Sequence, residues 1–288
     1  MSTDFCINTI LEDIFNTLTE VPSFPKVVQK ALAMLDDSNA TVKDIVEVLR
    51  YDQGITASIL QLTNSAHFGL PQQVTSLDTA LALLGQTQLR QILIASASLP
   101  YLTRPLPGYG LTSLDLWSHS IGCAVTAEAI AHRLKYSDPS ILFTAGILHD
   151  IGKVVLSMYV SLKLQDIKQV ASEKNLTFME AEWNILGTDH AVIGYELLKY
   201  WEFPRDLARA VRNHHDPDLY IQNDMSAILS MANIICALLG IGVGFDAYLY
   251  NIPDTIMDKL DIGQKDIDLF MMDALNSMKK VEDILSIN

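Results

Sequence analysis

Apolar residues return every three or four positions along most of the chain, and no segment alternates apolar with polar residues between turn signals. The first period puts a stripe on one face of a helix, and the lack of the second leaves no sheet of consequence. Ile7, Ile10, Leu11, Ile14, Phe15 and Leu18 form the first stripe, which ends near Val21-Pro22. Pro25 suits the first turn of a second helix with Val28, Leu32 and Leu35 inward, stopped by Asp36-Asp37-Ser38-Asn39. Thr41 with Asp44 three residues on is close to a capping box, and Asp52 caps a helix through Ile55, Ile59 and Leu62. Asn64 and Ser65 satisfy backbone groups at its end. Ser76 and Thr87 start two more helices, the first closed by Gly85.

At Tyr101–Thr112 the pattern changes, because Pro105, Pro107, Gly108 and Gly110 forbid a helix there. The expected fold is therefore all-α, a multi-helix bundle of two packed lobes. Residues 1–100 make an N-terminal lobe, 101–112 a Pro/Gly linker, and 113–288 a second lobe with the C-terminal helices. In the second lobe Ser113 and Asp115 suit a helix start, Asp138-Pro139 supply a cap and first residue, and Thr188 or Asp189 caps a helix beginning at His190. His119 follows Asp115 by one turn, so both can face one ion.

Met225–Phe245 has no charged residue and is long enough to be scored as a membrane span. Its flanks are Asp224 and Asp246, it contains Ser226, Ser230 and Asn233, and Gly240, Gly242 and Gly244 break its last turns. These features favour the central helix of a soluble bundle, apolar on all sides.

Composition narrows the partners. Hydrophobic residues make up 49% of 288, ample for a core, while 20 Lys+Arg against 34 Asp+Glu give a formal charge of −14. That charge repels nucleic-acid backbones and anionic membranes, and no basic stripe offsets it, so neither is an expected partner. Cys6, Cys123 and Cys236 have no C-x-x-C spacing and read as reduced thiols, and no basic region precedes the first apolar residues. Both features point to the cytoplasm.

Candidate chemistry centres on Ala145–Lys153, AGILHDIGK, an apolar face that ends in His149-Asp150. An adjacent imidazole and carboxylate can share one metal ion, and the pair suits Zn, Fe, Ni or Mn. His119 lies 30 residues upstream, His190 41 downstream, and His214-His215 form a second doublet. His67 and His132 have no place in the pattern and read as a helix-end and a surface residue. The remaining set, His119, His149, Asp150, His190, His214 and His215, is enough for one ion with ligands to spare or for two ions bridged by Asp150.

These residues resemble the HD superfamily of helical metal-dependent phosphohydrolases, and with the added histidines its HD-GYP branch. The chain is similar in more detail to the HDOD family, the HD-related output domain of bacterial signalling proteins. VPSFPKV at Val21–Val27, LQLTNSAHFGL at Leu60–Leu70, VTSLDTALALLG at Val74–Gly85, LWSHS at Leu116–Ser120, LHDIGK at Leu148–Lys153 and LGTDHAVIGYELLKYWEFP at Leu186–Pro204 carry that likeness in order, from about Leu18 to His215.

The HD-GYP likeness implies two or three iron or manganese ions at these positions, with Lys153 on the phosphate. Against that role, Lys153 also reads as a solvated cation at a helix end, and Arg209 with Arg212 as a solvated pair or a small anion site beside the doublet. Two departures weigh against hydrolysis. The superfamily's distal Asp should fall in Met225–Gly240, where this chain has Ala232-Asn233, and Asp216-Pro217-Asp218-Leu219-Tyr220 stands where a GYP loop would follow the doublet. The expected function is a non-catalytic regulatory module acting on signalling proteins in trans, with a divalent transition metal or a nucleotide in a degenerate pocket. A metal-dependent phosphohydrolase is the alternative.

Overall fold

The structure is a computed structural model that describes residues 11–17, 21–64, 73–245 and 251–285. Among the described residues there is no strand, only an isolated bridge between Leu106 and Leu111, so the all-α expectation holds. The helices are α1 (11–17), α2 (Lys26–Asp36), α3 (Val42–Leu49), α4 (Gln53–Thr63), α5 (Leu77–Leu102), α6 (Asp115–Arg133), α7 (Pro139–Leu148), α8 (Gly152–Lys174), α9 (Phe178–Leu186), α10 (His190–Tyr200), α11 (Arg205–Asn213), α12 (Pro217–Tyr220), α13 (Asp224–Leu238), α14 (Asp254–Leu260) and α15 (Gln264–Leu285).

Their starts follow the capping residues. Thr41 and Asp44 make the reciprocal capping box of α3, Asp52 accepts from the Ile55 amide, Asp138 from Ser140, and Asp189 from Val192. The long helix α5 is two helices joined at Gly85, whose φ of 71° and ψ of 172° belong to neither. Asn64 closes α4 and clips the chain beyond it, donating to the Leu60 and Val74 carbonyls while its own oxygen accepts from the Val74 amide. Ser65 and His67 lie outside the described residues.

The chain divides into two compact units, the smaller around Ser23–Pro100 and the larger around Tyr101–Ala274. In the smaller, α2 packs on α3, and Phe24, Val28, Ala31, Leu49, Ile59 and Ile92 are fully buried. In the larger, α6 and α7 form the tightest pair, α13 lies against α6, and α8 is flanked by α9 and α10. Residues 101–112 belong to this larger unit, where Leu106, Tyr109 and Leu111 are buried. Gly108 permits the contact, since a Cβ there would stand 2.3 Å from the Ser157 carbonyl oxygen of α8. The prolines therefore shape a packed 3-10 turn rather than an open connection.

The uncharged stretch at 225–245 is interior as far as Cys236: all the side chains from Met225 to Cys236 are buried, α13 stops at Leu238, which is exposed, and Gly240 and Gly242 take positive φ beyond it. The one stretch of the described residues long and apolar enough to cross a membrane, Pro139–Lys174, has 83% of its apolar window inside the protein, as a core helix does.

The close approach of α6 and α7 rests on Gly146, where a Cβ would lie 2.4 Å from Ala124 Cα and 2.5 Å from its nitrogen. Backbone cannot move aside as a side chain can, so Gly146→Ala should cost about 1–3 kcal/mol by forcing the helices apart. A urea midpoint lowered at unchanged slope is the expected result, and an unshifted midpoint would refute the close-packing argument.

Candidate metal centre

Four helices and one turn deliver the polar residues to the interior of the larger unit. His119 sits on α6, one turn after Asp115. His149 ends α7 and Asp150 occupies the short turn before α8, which resumes at Gly152. His190 opens α10, and His214-His215 follow α11. Glycine permits the convergence, because a Cβ on Gly152 would stand 2.0 Å from the His190 carbonyl oxygen and 2.6 Å from the Gly194 amide.

All six predicted residues come together. Asp150 lies at the centre, 1% exposed, with Oδ2 3.4 Å from His149 Nε2 and 3.7 Å from His119 Nε2. Its Oδ1 faces the other way, 3.4 Å from His190 Nε2 and 3.8 Å from His214 Nε2. His215 joins on that side, its ring centroid 4.0 Å from that of His214 and 5.0 Å from that of His190.

Four of the rings, those of His119, His149, His190 and His214, are held by the outer nitrogen. His149 Nδ1 donates to the Gly146 carbonyl at 2.8 Å, His214 Nδ1 to Val211 at 2.6 Å, and His119 Nδ1 to Ile241 at 2.9 Å. His190 Nδ1 meets Glu182 Oε2 at 2.9 Å, and Glu182, fully buried, also accepts from the Tyr109 hydroxyl. With Nδ1 protonated, each Nε2 turns a lone pair inward, the tautomer a metal ligand needs. Gly242 makes the His119 bond possible, for a Cβ there would lie 2.1 Å from the Asp115 carbonyl oxygen and hold the Ile241 turn away from α6.

His149 Nε2, His190 Nε2, His214 Nε2 and Asp150 Oδ1 are all buried without a hydrogen-bond partner. Unsatisfied buried polar atoms are costly, and three ring nitrogens gathered about one carboxylate are the kind of ligands a metal ion takes. The ligand atoms of Asp150, His190, His214 and His215 lie within 4.8 Å of one another, as do those of His119, Cys123 and His149. The buried His/Asp group can therefore hold a divalent metal.

Several residues stand differently from expectation. Lys153 is neither solvated nor at a helix C-terminus. It is 4% exposed in the first turn of α8, where the dipole disfavours a cation, and its Nζ bonds Asp150 Oδ2 at 2.6 Å. The short break at 149–151 restarts the helix and reverses the dipole argument. Asp115 does not reach the cluster, since its Oδ2 accepts from the Thr112 amide and hydroxyl, both at 2.5 Å, and closes the turn before α6. Asn233 does reach it, with Oδ1 2.9 Å from His119 Nε2. Arg209 pairs with Asp206 at the surface, whereas Arg212 lines a groove of about 560 Å³ with His215 and Trp183. His132 is exposed. Sequence reasoning missed Glu182 and Cys123; each is a single buried residue outside any motif, and only the spacing of Cys123, one turn from His119, gave a signal.

Burial governs the electrostatics. It pushes the His149 imidazole down to about 4, and with neighbouring His charges it drives His214 and His215 well below the usual value. At His190 burial acts the same way but the Glu182 charge and hydrogen bond outweigh it, and the net shift is upward. For Asp150 burial would raise the carboxyl, yet His149, Lys153 and the other cations around it hold it well below the usual range.

Comparison with known proteins identifies the family and the fold. The HDOD domain model matches residues 21–217. An HDOD domain protein of unknown function from Geobacter sulfurreducens superposes with a TM-score of 0.71 at 25% identity, over 96% of this chain and 93% of that one. A Shewanella amazonensis SB2B protein, provisionally described as a phosphohydrolase, gives 0.70 at 25% identity, over 94% and 97%. An uncharacterized protein of Treponema pallidum (strain Nichols) is 21% identical over 206 residues, 70% of this chain; that match spans only 39% of the longer relative.

The depressed imidazoles fix a pH dependence. A group whose folded value lies below its unfolded one makes the unfolded chain the stronger proton binder between the two, so stability falls as pH drops through that window. In protein treated with chelator, stability should fall from pH 6.5 towards about 4, with His149 alone contributing about 3 kcal/mol at about 1.4 kcal/mol per unit. His190, shifted up, works in the opposite sense: its contribution is present below 6.5 and lost as pH rises through its folded value. Denaturant unfolding at the two pH values, compared with His149→Gln, checks this; an equal acid loss in both proteins would refute it.

Proposed function

The chain belongs to the HDOD family, and from that premise we propose that it is a non-catalytic regulatory module, holding a metal inside its helical core and acting through signalling proteins in trans. The closure of the pocket carries this reading. His149, Asp150, His190 and His214 are at most 2% exposed, and Lys153 already occupies one carboxylate oxygen. A hydrolytic metal needs an open position for water and a path for substrate. A metal enclosed among helix ends, reached only along the His215 edge, instead ties α6, α7, α10 and the α11–α13 connection together, and its occupancy would set their packing in the form a partner recognises.

Asn233 supports the same reading, since an amide brings no charge to activate water where the superfamily has a carboxylate. One observation favours a second reading, that of a metal-dependent phosphohydrolase: the groove beside His215 brings Arg212 and the exposed Trp183 to the edge of the cluster, suited to a phosphate and a nucleobase. The provisional description of the Shewanella protein leans the same way.

Fresh protein purified without chelator should contain a transition metal, Fe, Mn, Ni or Zn, that Asp150→Ala loses. It should hydrolyse a generic phosphodiester, bis(p-nitrophenyl) phosphate, with added Mn²⁺ or Fe²⁺ no faster than Asp150→Ala does. Robust wild-type turnover abolished in that variant would replace the non-catalytic reading with the hydrolytic one.

A further inference from the structure

Cys123 stands in the wall of the cluster, one helical turn beyond His119 on α6, and is fully buried. Its Sγ lies 3.6 Å from His119 Nε2. With metal–sulfur and metal–nitrogen bonds of about 2.3 and 2.05 Å, two such ligands on a tetrahedral ion stand about 3.6 Å apart. The pair already has the spacing of one edge of a coordination tetrahedron. His149 Nε2, buried and without a partner, lies within 4.8 Å of both atoms.

Two further facts point to a cation there. Because His119 gives its Nδ1 proton to Ile241, its Nε2 lone pair points into this wall, where the Cys123 thiol at 3.6 Å and the Asn233 amide at 2.9 Å are the groups that reach it. Charge is also short on this side. Asn233 supplies none, and the Asp150 oxygen that faces His149 and His119 is already bonded to the Lys153 ammonium. A dication among neutral imidazoles needs one more anion.

We propose that Cys123, as a thiolate, is that anion, and that with His119 and His149 it forms a half-site for a borderline-soft dication such as Zn²⁺ or Fe²⁺ in preference to Mg²⁺ or Ca²⁺. The inference rests on the metal-holding reading above and deepens it by naming the ligand and the metal class. On binding, the S–H bond breaks, its electron pair passes from sulfur to the metal, and the proton leaves to solvent. In the metal-free protein the thiol keeps its proton, since burial, with Cys236 beside it, raises it well above the ordinary range. Cys236 bonds the Cys123 thiol and also Thr126, at 3.7 Å, and is not among the clustered ligand atoms.

Cobalt(II) reports the ligand directly, because thiolate coordination gives a near-ultraviolet sulfur-to-cobalt charge-transfer band that imidazole and carboxylate ligands do not. Cobalt alone is titrated into the chelator-treated full chain. The band should appear in the wild type and persist when Cys6 and Cys236 are both Ser. Cys123→Ser should lose it and bind cobalt at least about tenfold more weakly, the loss seen for even outer-shell partners. Adding Asn233→Asp to Cys123→Ser should recover affinity without the band. Cobalt bound by the wild type with no such band overturns the proposal and leaves the metal-holding reading intact; no cobalt binding at all overturns both. If Cys123→Ser does not fold, X-ray absorption of the wild-type cobalt form decides, with a sulfur shell near 2.3 Å in favour and a shell of nitrogen and oxygen alone against.

Discussion

A carboxylate stripped of water is the constraint around which the larger unit is built. Asp150 is 1% exposed, and an ion taken that far from solvent costs several kcal/mol unless charges and hydrogen bonds replace its hydration. Lys153 supplies one replacement from the next turn of the same chain. The imidazoles supply the rest from helices distant in sequence, and they reach Asp150 only because small residues let backbones touch. Gly152 brings the start of α8 against α10, Gly146 brings α7 against α6, and Gly242 brings the turn after α13 against the start of α6. Fold and site are thus one arrangement, since the helix contacts that close the core are the contacts that aim the rings.

The aim is what gives the cluster chemical meaning. Packed core histidines commonly bond through both nitrogens, whereas here a backbone carbonyl or Glu182 holds the outer nitrogen and the inner ones are left as lone pairs. Glu182 does most at His190, where its charge overcomes burial. The two carboxylate oxygens divide the pocket, with His190, His214 and His215 on one side and His119, His149 and Cys123 on the other. The first side reaches a groove through His215, while the second is sealed. The pocket is thus divided, and closed except along the His215 edge.

Helix periodicity and capping chemistry are local properties, so the sequence carried them openly: Thr41 with Asp44, Asp52, Asp138, Asp189 and the break at Gly85 all act as their residue types dictate. The clustered histidines were legible for a different reason, their recurrence in an order shared with a known family. What stayed hidden depends on tertiary neighbours. Lys153 looked like a helix-end cation because the apolar face ends at His149-Asp150 and nothing in the pattern marks that a new helix starts at Gly152. Asp115 looked like a ligand because its spacing to His119 was right, yet its carboxylate is spent on Thr112. Glu182 and Cys123 carry no motif, and only the packing of α9 and α6 beside the cluster shows their part.

Anomalous diffraction from a crystal of protein purified without chelator, recorded on either side of the absorption edge of the metal it contains, tests the central claim most directly. An ion bonded at about 2.0–2.2 Å to at least two inward imidazole nitrogens and to an Asp150 oxygen is the expected result. A cluster with no anomalous peak, its rings turned so that their Nε2 atoms bond protein or water, would contradict it.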